Sequence, residues 1–304
     1  MIEGTGLAVS HEVAEALESR QPVVALESSV IAQGLPRPLN LEAAKRIETT
    51  IREAGAVPAT LAILEGVPTV GVDPAALERL AFEDGIEKAG ARDLGRAIAT
   101  RSTMATTVGS SLVIANAAGI KVFATGGIGG VHRGAEETGD ISNDLHILST
   151  TPLVTVSAGF KSILDLPRTL EYLETLGVPV VGFKTTALPD FYGVDSGFSV
   201  PNVSDAAGVV RMLDTSRSFG LPAGLVVVNP PPATYALNRE ELRIMVNNAL
   251  VAAKDAGVTG KNVTPFLLSQ MANESDGRTV TLNIELLVSN ARVAAEIAAA
   301  FSSL

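Results

Sequence analysis

Cysteine is absent from the 304 residues of this chain. Its absence excludes disulfide bonds, catalysis by a thiolate and zinc sites built on thiolates, and it agrees with a reducing compartment. Positive charge is also scarce, because 23 lysines and arginines face 33 aspartates and glutamates and the net charge is −10. Without a basic cluster, no nucleic-acid partner is expected, and any phosphate that the protein binds should be small.

Long uninterrupted apolar runs are missing as well. Residues 1–6 lack the basic segment and apolar run of a signal peptide, and every long apolar stretch is broken by polar residues or glycine. We therefore expect no export signal, no membrane partner and a cytoplasmic location. Hydrophobic residues make up 46% of the chain, and its 28 glycines and 16 prolines are spread along it. This composition predicts one domain over 1–304 with a large core.

Apolar strand-like runs alternate with helical patterns, which is typical of βαβ units and a largely parallel sheet. The sequence therefore predicts the α/β class. Helices are expected at 10–19, 39–54, 74–83, 102–117, 167–176, 204–219, 239–256 and 282–303, and strands at 23–26, 60–64, 88–89, 121–124, 153–157, 178–183 and 224–228.

Glycines, acids and one lysine are concentrated between residues 125 and 165. Five glycines fall within 126–134, where backbone N–H groups can approach an anion and the chain can turn. Asp140 and Asp144 follow as oxygen ligands suited to a hard divalent cation. Lys161 comes next and has no other lysine within twenty residues. Anion cradle, metal ligands and amine together indicate chemistry on a phosphorylated sugar.

A plainer interpretation of these glycines is a tight connection after the apolar strand. The common nucleotide-binding fingerprints do not fit either. Reading G-x-G-x-x-G from Gly127 places His132 at the third glycine. The lysine and serine at 161–162 follow Phe160 instead of the glycine of a Walker loop. Neither a Rossmann site nor a P-loop is therefore indicated.

Glu27, Thr125 and Ala158 each come at the end of a predicted strand. Ligands gather at the carboxyl ends of strands in open α/β sheets, so residues far apart in the sequence can meet there. Glu27 is thereby placed to face a ligand crevice as a proton donor. Taken by itself, however, an acid at this point is more simply interpreted as a helix cap or an ion-pair partner.

Seven segments spread over nearly the whole chain carry a family resemblance: 25–42, 55–60, the glycine-rich block, 161–179, 225–230, 260–268 and 283–286. Together they resemble the pseudouridine-5′-phosphate glycosidases, also called indigoidine synthase A-like proteins. The resemblance implies a three-layer α/β/α single domain around a mainly parallel mixed sheet. It implies reversible cleavage of the C–C glycosidic bond of pseudouridine 5′-phosphate to uracil and ribose 5-phosphate. It also implies a divalent cation, preferably Mn²⁺, and a homotrimer.

The resemblance implies roles for individual residues. Lys161 matches the family's imine-forming lysine, Glu27 its acid and Asp140 its metal ligand. Ser29 stands where threonine is expected and Asn143 where alanine is expected, which removes no catalytic group. Substrate contacts are expected from Lys88, Val108, Ser142, Asn143 and Asp144.

The residue types suit this reaction on chemical grounds. A C–C glycoside has no leaving heteroatom, so its cleavage needs an electron sink, and an amine supplies one by adding to C1′ of the ring-opened sugar and forming an imine. Free lysine has a pKa of about 10.4, so the amine must be desolvated or placed near positive charge. Apolar residues at 158, 160, 163 and 164 offer such a wall around Lys161. The alternative is a solvated surface lysine.

Other interpretations stay open for the remaining residues. Asp140 and Asp144 suit a cap of the following helix, and His132 and Asn283 have structural as well as substrate-binding explanations. Three classes of function remain: a C-glycosidase, another imine-forming phosphosugar enzyme such as an aldolase or a pigment-pathway relative, and a non-catalytic sugar-phosphate sensor. Release of uracil separates the first from the second, and borohydride trapping of a lysine adduct separates the third from both.

Overall fold

The computed structural model describes residues 6–258 and 263–302. Twelve α-helices and eleven β-strands occur along this part of the chain, with a π-helical turn at Val30–Gly34 and a 3₁₀ turn at Ala91–Asp93. The helices are α1 (His11–Glu18), α2 (Leu39–Glu53), α3 (Pro74–Phe82), α4 (Leu94–Ala99), α5 (Val108–Ala117), α6 (Ala135–Thr138), α7 (Asn143–Thr150), α8 (Leu166–Thr175), α9 (Ala206–Ser218), α10 (Arg239–Asp255), α11 (Val263–Glu274) and α12 (Arg278–Ser302). The strands are β1 (Ala8–Val9), β2 (Val23–Leu26), β3 (Val57–Leu64), β4 (Val67–Val70), β5 (Glu87–Ala89), β6 (Met104–Thr106), β7 (Val122–Ala124), β8 (Val154–Ser157), β9 (Val180–Phe183), β10 (Asn202–Val203) and β11 (Leu225–Val228).

The eleven strands of the described residues form one sheet. Its order is β1-β4-β3-β2-β7-β8-β11-β9-β10, and β6 pairs with both β3 and β5. The pairs are parallel except β3 with β4 and β3 with β6. Strands β2, β8 and β11 read VVAL, VTVS and LVVV and are buried at every position. Strands buried on both faces in this way are typical of parallel sheets covered by helices on each side.

Helices cover both faces of the sheet. Helix α12 contacts β2, β7 and β8 and packs against α2 and α9, whereas α5 contacts β2, β3 and β7 and packs against α7. The buried face of α12 includes alanines at 291, 294, 295 and 298, whose small side chains let the helix lie close to the strands. The predicted three-layer α/β/α arrangement around a mainly parallel mixed sheet is confirmed.

The predicted helix 102–117 is wrong in its first part. Met104–Thr106 form β6, which pairs antiparallel with β3, and the helix begins only at Val108. The Thr107 amide donates to Ser110 Oγ at 3.0 Å, which closes the first turn of α5. Helix α12 begins at Arg278, four residues earlier than predicted. Residue 303 of that predicted helix lies outside the described residues. Residues 260–262 of the family-like segment 260–268 lie outside them as well.

Four helices and four strands were not predicted, β6 among them. Most of these elements are too short to show a hydrophobic period, and the longer helix α11 has no strongly apolar face. The missed elements are α4, α6, α7, α11, β1, β4, β6 and β10. Within residues 6–258 and 263–302, no helix is both long and apolar enough to cross a lipid bilayer.

Glu48 on α2 is a carboxyl group that the fold disfavours in its charged form. Its Oε1 accepts a hydrogen bond from Thr60 Oγ1 at 2.6 Å, but burial raises its pKa, although Thr60 and Arg52 act in the opposite direction. A carboxyl with a raised native pKa costs folding free energy above its unfolded pKa and none below it. We therefore expect Glu48→Gln to raise Tm near neutral pH by on the order of 1–3 °C and by less near about pH 4. Thermal unfolding at the two pH values measures this, and an equal shift at both would contradict it.

Candidate active site

Glu27 lies at the carboxyl end of β2, beside the ends of the neighbouring parallel strands β7 and β8. Thr125 follows β7 directly, and Ala158 follows β8, so the three residues predicted at strand ends share one edge of the sheet. The Thr125 hydroxyl donates to Glu27 Oε1, and the Ser29 hydroxyl donates to Glu27 Oε2 at 2.5 Å. The carboxyl group is therefore held by hydroxyls on both oxygens.

Ser28 points away from this edge and into the core. It is fully buried, and its Oγ accepts a hydrogen bond from the Thr106 amide at 2.9 Å. The Ser28 amide in turn donates to Thr106 Oγ1 at 3.3 Å. These contacts link Ser28 to β6 and keep its hydroxyl inside the core.

The glycine-rich segment 126–134 is fixed by internal contacts. A side chain at Gly127 would collide with Phe191, and one at Gly129 would collide with Ser142. Four amides that were expected to be open to an anion are used within the protein, which weakens the prediction of an anion cradle here. They donate from Ile128 to Gly159 O (3.0 Å), from Gly129 to Asp144 Oδ2 (3.1 Å), from Val131 to Thr169 Oγ1 (3.0 Å) and from His132 to Asp140 O (3.0 Å).

Asp144 joins the glycine-rich segment to α5. It is 8% exposed, and its oxygens accept from the amides of Gly109 at 2.9 Å and Gly129 at 3.1 Å. Gly109 directly follows Val108 at the start of α5, so the carboxylate faces the positive end of the helix dipole. Ser142 caps α7, because its hydroxyl accepts from the Asp144 amide at 3.3 Å. The cap of this helix is therefore a serine and not, as the sequence suggested, an aspartate. The substrate contacts predicted at 142–144 and Val108 thus lie on adjoining segments.

Lys161 extends from a backbone held on both sides. Its amide donates to Ile128 O at 3.1 Å, and the hydroxyl of Ser162 donates to Asp190 O. The side chains of Phe160, Ile163 and Leu164 are at most 1% exposed, as the sequence predicted for an apolar wall. The Lys161 side chain is therefore anchored by a rigid, apolar segment without contributing to the core itself.

Lys88 borders a cavity of about 620 Å³. Its side chain is open to this cavity, while the surrounding protein desolvates it. Burial lowers the pKa of Lys88, the positive charge of Lys161 lowers it further, and the carboxylate of Glu27 raises it. Lys161 and Glu27 therefore both lie within electrostatic reach of Lys88. The cavity is also lined by residues of the 33–36 segment, of α11 and of the first turns of α12, including Gln33, Tyr192, Leu268, Thr279 and Asn283.

Asp140 is the candidate metal ligand, and His132 lies beside it. His132 Nδ1 lies 3.9 Å from Asp140 Oδ2, and the Asp140 side chain is 44% exposed. Burial lowers the pKa of His132, Asp140 raises it, and the charge of Lys161 lowers it. No group of three or more acidic, histidine or cysteine side chains suited to a metal occurs among the described residues. One open carboxylate fits a cation that also takes water and substrate oxygens as ligands.

Sequence reasoning missed Phe191 and Tyr192, which follow an irregular loop. Phe191 adopts φ 73°, a backbone conformation that is rare for a residue with a side chain, and its ring packs against Gly126 and Gly127. Tyr192 lines the cavity and is 2% exposed. Asn290, 1% exposed, was missed as well. Nothing in their local sequence pattern distinguishes these residues from ordinary core positions.

The family model for indigoidine synthase A-like proteins matches residues 12–300. Proteins named pseudouridine-5′-phosphate glycosidase are 50% identical over 98% of this chain and 99% of their own length in Chloroflexus aurantiacus, and 44% identical over 97% and 96% in Staphylococcus aureus. The crystal structure of the prealnumycin C-glycosynthase AlnA in complex with ribulose 5-phosphate matches with a TM-score of 0.91 and 41% identity, covering 98% of this chain and 97% of that one. An indigoidine synthase A-like protein from Thermotoga maritima matches with a TM-score of 0.90 and 34% identity, over 99% of both chains.

Glu27 and Lys161 follow the carboxyl ends of β2 and β8 in a three-layer α/β/α fold, and the named relatives make this protein an α/β enzyme. The chain belongs to the indigoidine synthase A-like family. Its identity to named glycosidases over nearly full length supports an enzyme with glycosidase activity.

Proposed function

We propose that the protein catalyses reversible cleavage of the C–C glycosidic bond of pseudouridine 5′-phosphate, giving uracil and ribose 5-phosphate. The observation that carries this proposal is that Lys161 and Glu27 both act electrostatically on Lys88, which lines a cavity of about 620 Å³. The names of relatives at 44–50% identity support the substrate. The ribulose 5-phosphate bound to the related C-glycosynthase supports the sugar half.

Lys161 supplies the electron sink in this mechanism. In the cleavage direction its neutral amine bonds to C1′ as the C1′–O4′ bond breaks, which opens the sugar ring, and O4′ takes up the proton that the nitrogen loses. The nitrogen lone pair then forms the C1′=N bond as the bond from C1′ to uracil C5 breaks. Hydrolysis of the imine returns the amine and gives ribose 5-phosphate. Phe160, Ile163 and Leu164 keep this segment dry and rigid.

Glu27 supplies the proton. The electron pair of the broken bond remains on C5 of uracil and must be taken up by a proton, which a positioned carboxylic acid donates. The hydroxyls of Thr125 and Ser29 fix the direction of the Glu27 carboxyl group. In the reverse direction the same group accepts the C5 proton, since both directions pass through one transition state.

A divalent cation, with Mn²⁺ as the expected metal, belongs to this proposal. Asp140 would hold it, with His132 at its side, and the cation would supply positive charge to offset substrate oxygens. Lys88 is proposed to bind the 5′-phosphate, and Val108, Ser142, Asn143 and Asp144 to contact the substrate. These roles come from the family resemblance and from the position of the residues around the same edge of the sheet.

A related activity is favoured by the structural match to a C-glycosynthase. The same amine and carboxyl group would serve to join a ring-opened sugar phosphate to an acceptor other than uracil. Incubating the protein with pseudouridine 5′-phosphate and Mn²⁺, and following uracil by chromatography, decides between the two. Uracil release supports the glycosidase. A lysine adduct with ribose 5-phosphate but no uracil release would favour the second activity.

A homotrimer and a cytoplasmic location are also part of the proposal. With a chain of 31.3 kDa, light scattering on the purified protein distinguishes a trimer from a monomer or dimer. Fractionation of the producing cells checks the location.

Removal of divalent metal ions should abolish uracil release, and added Mn²⁺ should restore it. Because Asp140 is the open carboxylate of the candidate position, we expect Asp140→Asn to weaken Mn²⁺ binding at least about tenfold with little change in Tm. Electron paramagnetic resonance of free Mn²⁺ measures the affinity without relying on turnover. Glu137→Gln, an exposed acid three residues away, is the matched control and should bind Mn²⁺ like the wild type. Full activity of the metal-stripped protein would exclude this role of Asp140.

The 5′-phosphate should be a required part of the substrate. A charge-assisted contact is worth about 1.5–3 kcal/mol, so Lys88→Ala should lower kcat/KM for pseudouridine 5′-phosphate by roughly one to two orders of magnitude. Unphosphorylated pseudouridine should be a poorer substrate still. Lys45→Ala, which removes an exposed lysine on α2, is the control. If Lys88→Ala and Lys45→Ala behave alike, the phosphate is bound elsewhere.

A further inference from the structure

Two asparagines connect α12 and β11 to the turn that contacts Glu27. Asn290 is 1% exposed, and its Nδ2 donates to Thr125 O at 2.8 Å and to Gly126 O at 3.4 Å. Asn229, directly after β11, donates from its own Nδ2 to Asn290 Oδ1 at 3.0 Å. This chain of contacts ends at Thr125, whose hydroxyl donates to Glu27 Oε1.

The hydrogen-bonding capacity of these groups fixes the orientation of the Asn290 amide. The two backbone oxygens can only accept, so Nδ2 of Asn290 must face them and Oδ1 must face away. Oδ1 then needs a donor, and Asn229 supplies it while also donating to Ser289 Oγ at 3.0 Å. Each amide is therefore held in one orientation by its neighbour in the chain.

We propose that Asn290 is a positioning residue for the proton donor Glu27, and that Asn229 fixes Asn290 in turn. By holding both carbonyls of the turn after β7, Asn290 sets the backbone from which the Thr125 hydroxyl reaches Glu27. The carboxyl group is thereby kept in one direction before the substrate arrives. This inference rests on the proposed glycosidase function and adds the residues that orient its proton donor, Glu27.

The same hydrogen bonds also fasten α12 to the sheet, so the test must separate positioning from stability. A contact that only fastened the helix would affect every step of the reaction alike. A positioning contact acts on one step. Lys161 still forms its adduct with ribose 5-phosphate, whereas the release of uracil, which needs the proton of Glu27, becomes slower.

Asn40 on α2 offers a matched control. It too is 1% exposed, and its Nδ2 donates to Ile31 O at 2.8 Å and Ala81 O at 2.9 Å. Asn290→Ala and Asn40→Ala should therefore both lower Tm. Only Asn290→Ala should slow uracil release, by roughly three- to tenfold, with the borohydride-trapped Lys161 adduct formed at the wild-type rate.

A double-mutant cycle with Glu27→Gln completes the test. If Asn290 acts through Glu27, Asn290→Ala has no further effect on uracil release once Glu27 is replaced. Equal losses in adduct formation and uracil release, or full additivity with Glu27→Gln, would overturn the proposal. If Asn290→Ala does not fold, Asn229→Ala takes its place and should give the same selective loss at smaller size. A wild-type protein that releases no uracil would overturn the proposed function itself, and the positioning role with it.

Discussion

Replacing Lys161 by alanine should abolish uracil release, with a loss of at least about 10³-fold, while Tm stays close to that of the wild type. The loss is expected because the amine is the electron sink. The fold should survive because the segment is held by its backbone and by buried neighbours, not by the lysine side chain. Borohydride reduction of the wild type with ribose 5-phosphate, followed by peptide mass spectrometry, measures the adduct directly.

Two further variants sharpen this result. Lys161→Arg should not restore activity, because a guanidinium stays protonated and cannot attack carbon. Lys184→Ala removes a lysine that is 56% exposed and paired with Glu296 on the surface, and it should leave turnover unchanged. Lys88 is the competing amine, since burial and the charge of Lys161 lower its pKa. An adduct on the Lys88 peptide instead of the Lys161 peptide would therefore reassign the nucleophile.

The parallel core of the fold was predictable because its signal is local. Strands such as β2 and β11 are short and continuously apolar, and each is followed by a segment with helical hydrophobic periodicity. Each βαβ unit can therefore be predicted from its own sequence. The strand within 102–117 could not be predicted in this way, because β6 has only three residues and is defined by its antiparallel pairing with β3. That pairing joins residues about forty positions apart, as Ala62 with Ala105, and no local pattern contains it.

The candidate site was predictable only in part, for a similar physical reason. Glu27, Thr125 and Ala158 were placed at one edge because parallel strands share the direction of their carboxyl ends. The contacts of Asp144 with the amides of Gly109 and Gly129 were not foreseen, since they depend on how two loops pack. The internal hydrogen bonds of four amides in the glycine-rich segment were not foreseen for the same reason: glycines indicate freedom of the backbone, but not which acceptors its amides find.

Replacing Glu27 by glutamine should slow uracil release by at least about 100-fold, since a positioned acid contributes typically 10²–10⁴-fold and an amide cannot donate the proton. Glutamine keeps the size of the side chain, and its oxygen still accepts from the Thr125 hydroxyl. Substrate binding and the Lys161 adduct should therefore persist. A rapid-quench measurement that follows adduct and uracil in the same sample separates the two steps.

Glu48→Gln is the control that makes this prediction specific. Glu48 is likewise a partly buried glutamate whose oxygen accepts a threonine hydroxyl, that of Thr60 at 2.6 Å, but it lies on α2 beside β3. Its replacement should leave uracil release intact, which shows that losing a carboxylate bonded to a threonine does not by itself impair turnover. Near-normal release by Glu27→Gln would return Glu27 to a structural role. Because the Ser28 hydroxyl is enclosed with Thr106, the donor would then have to be Asp144 or a metal-bound water at Asp140.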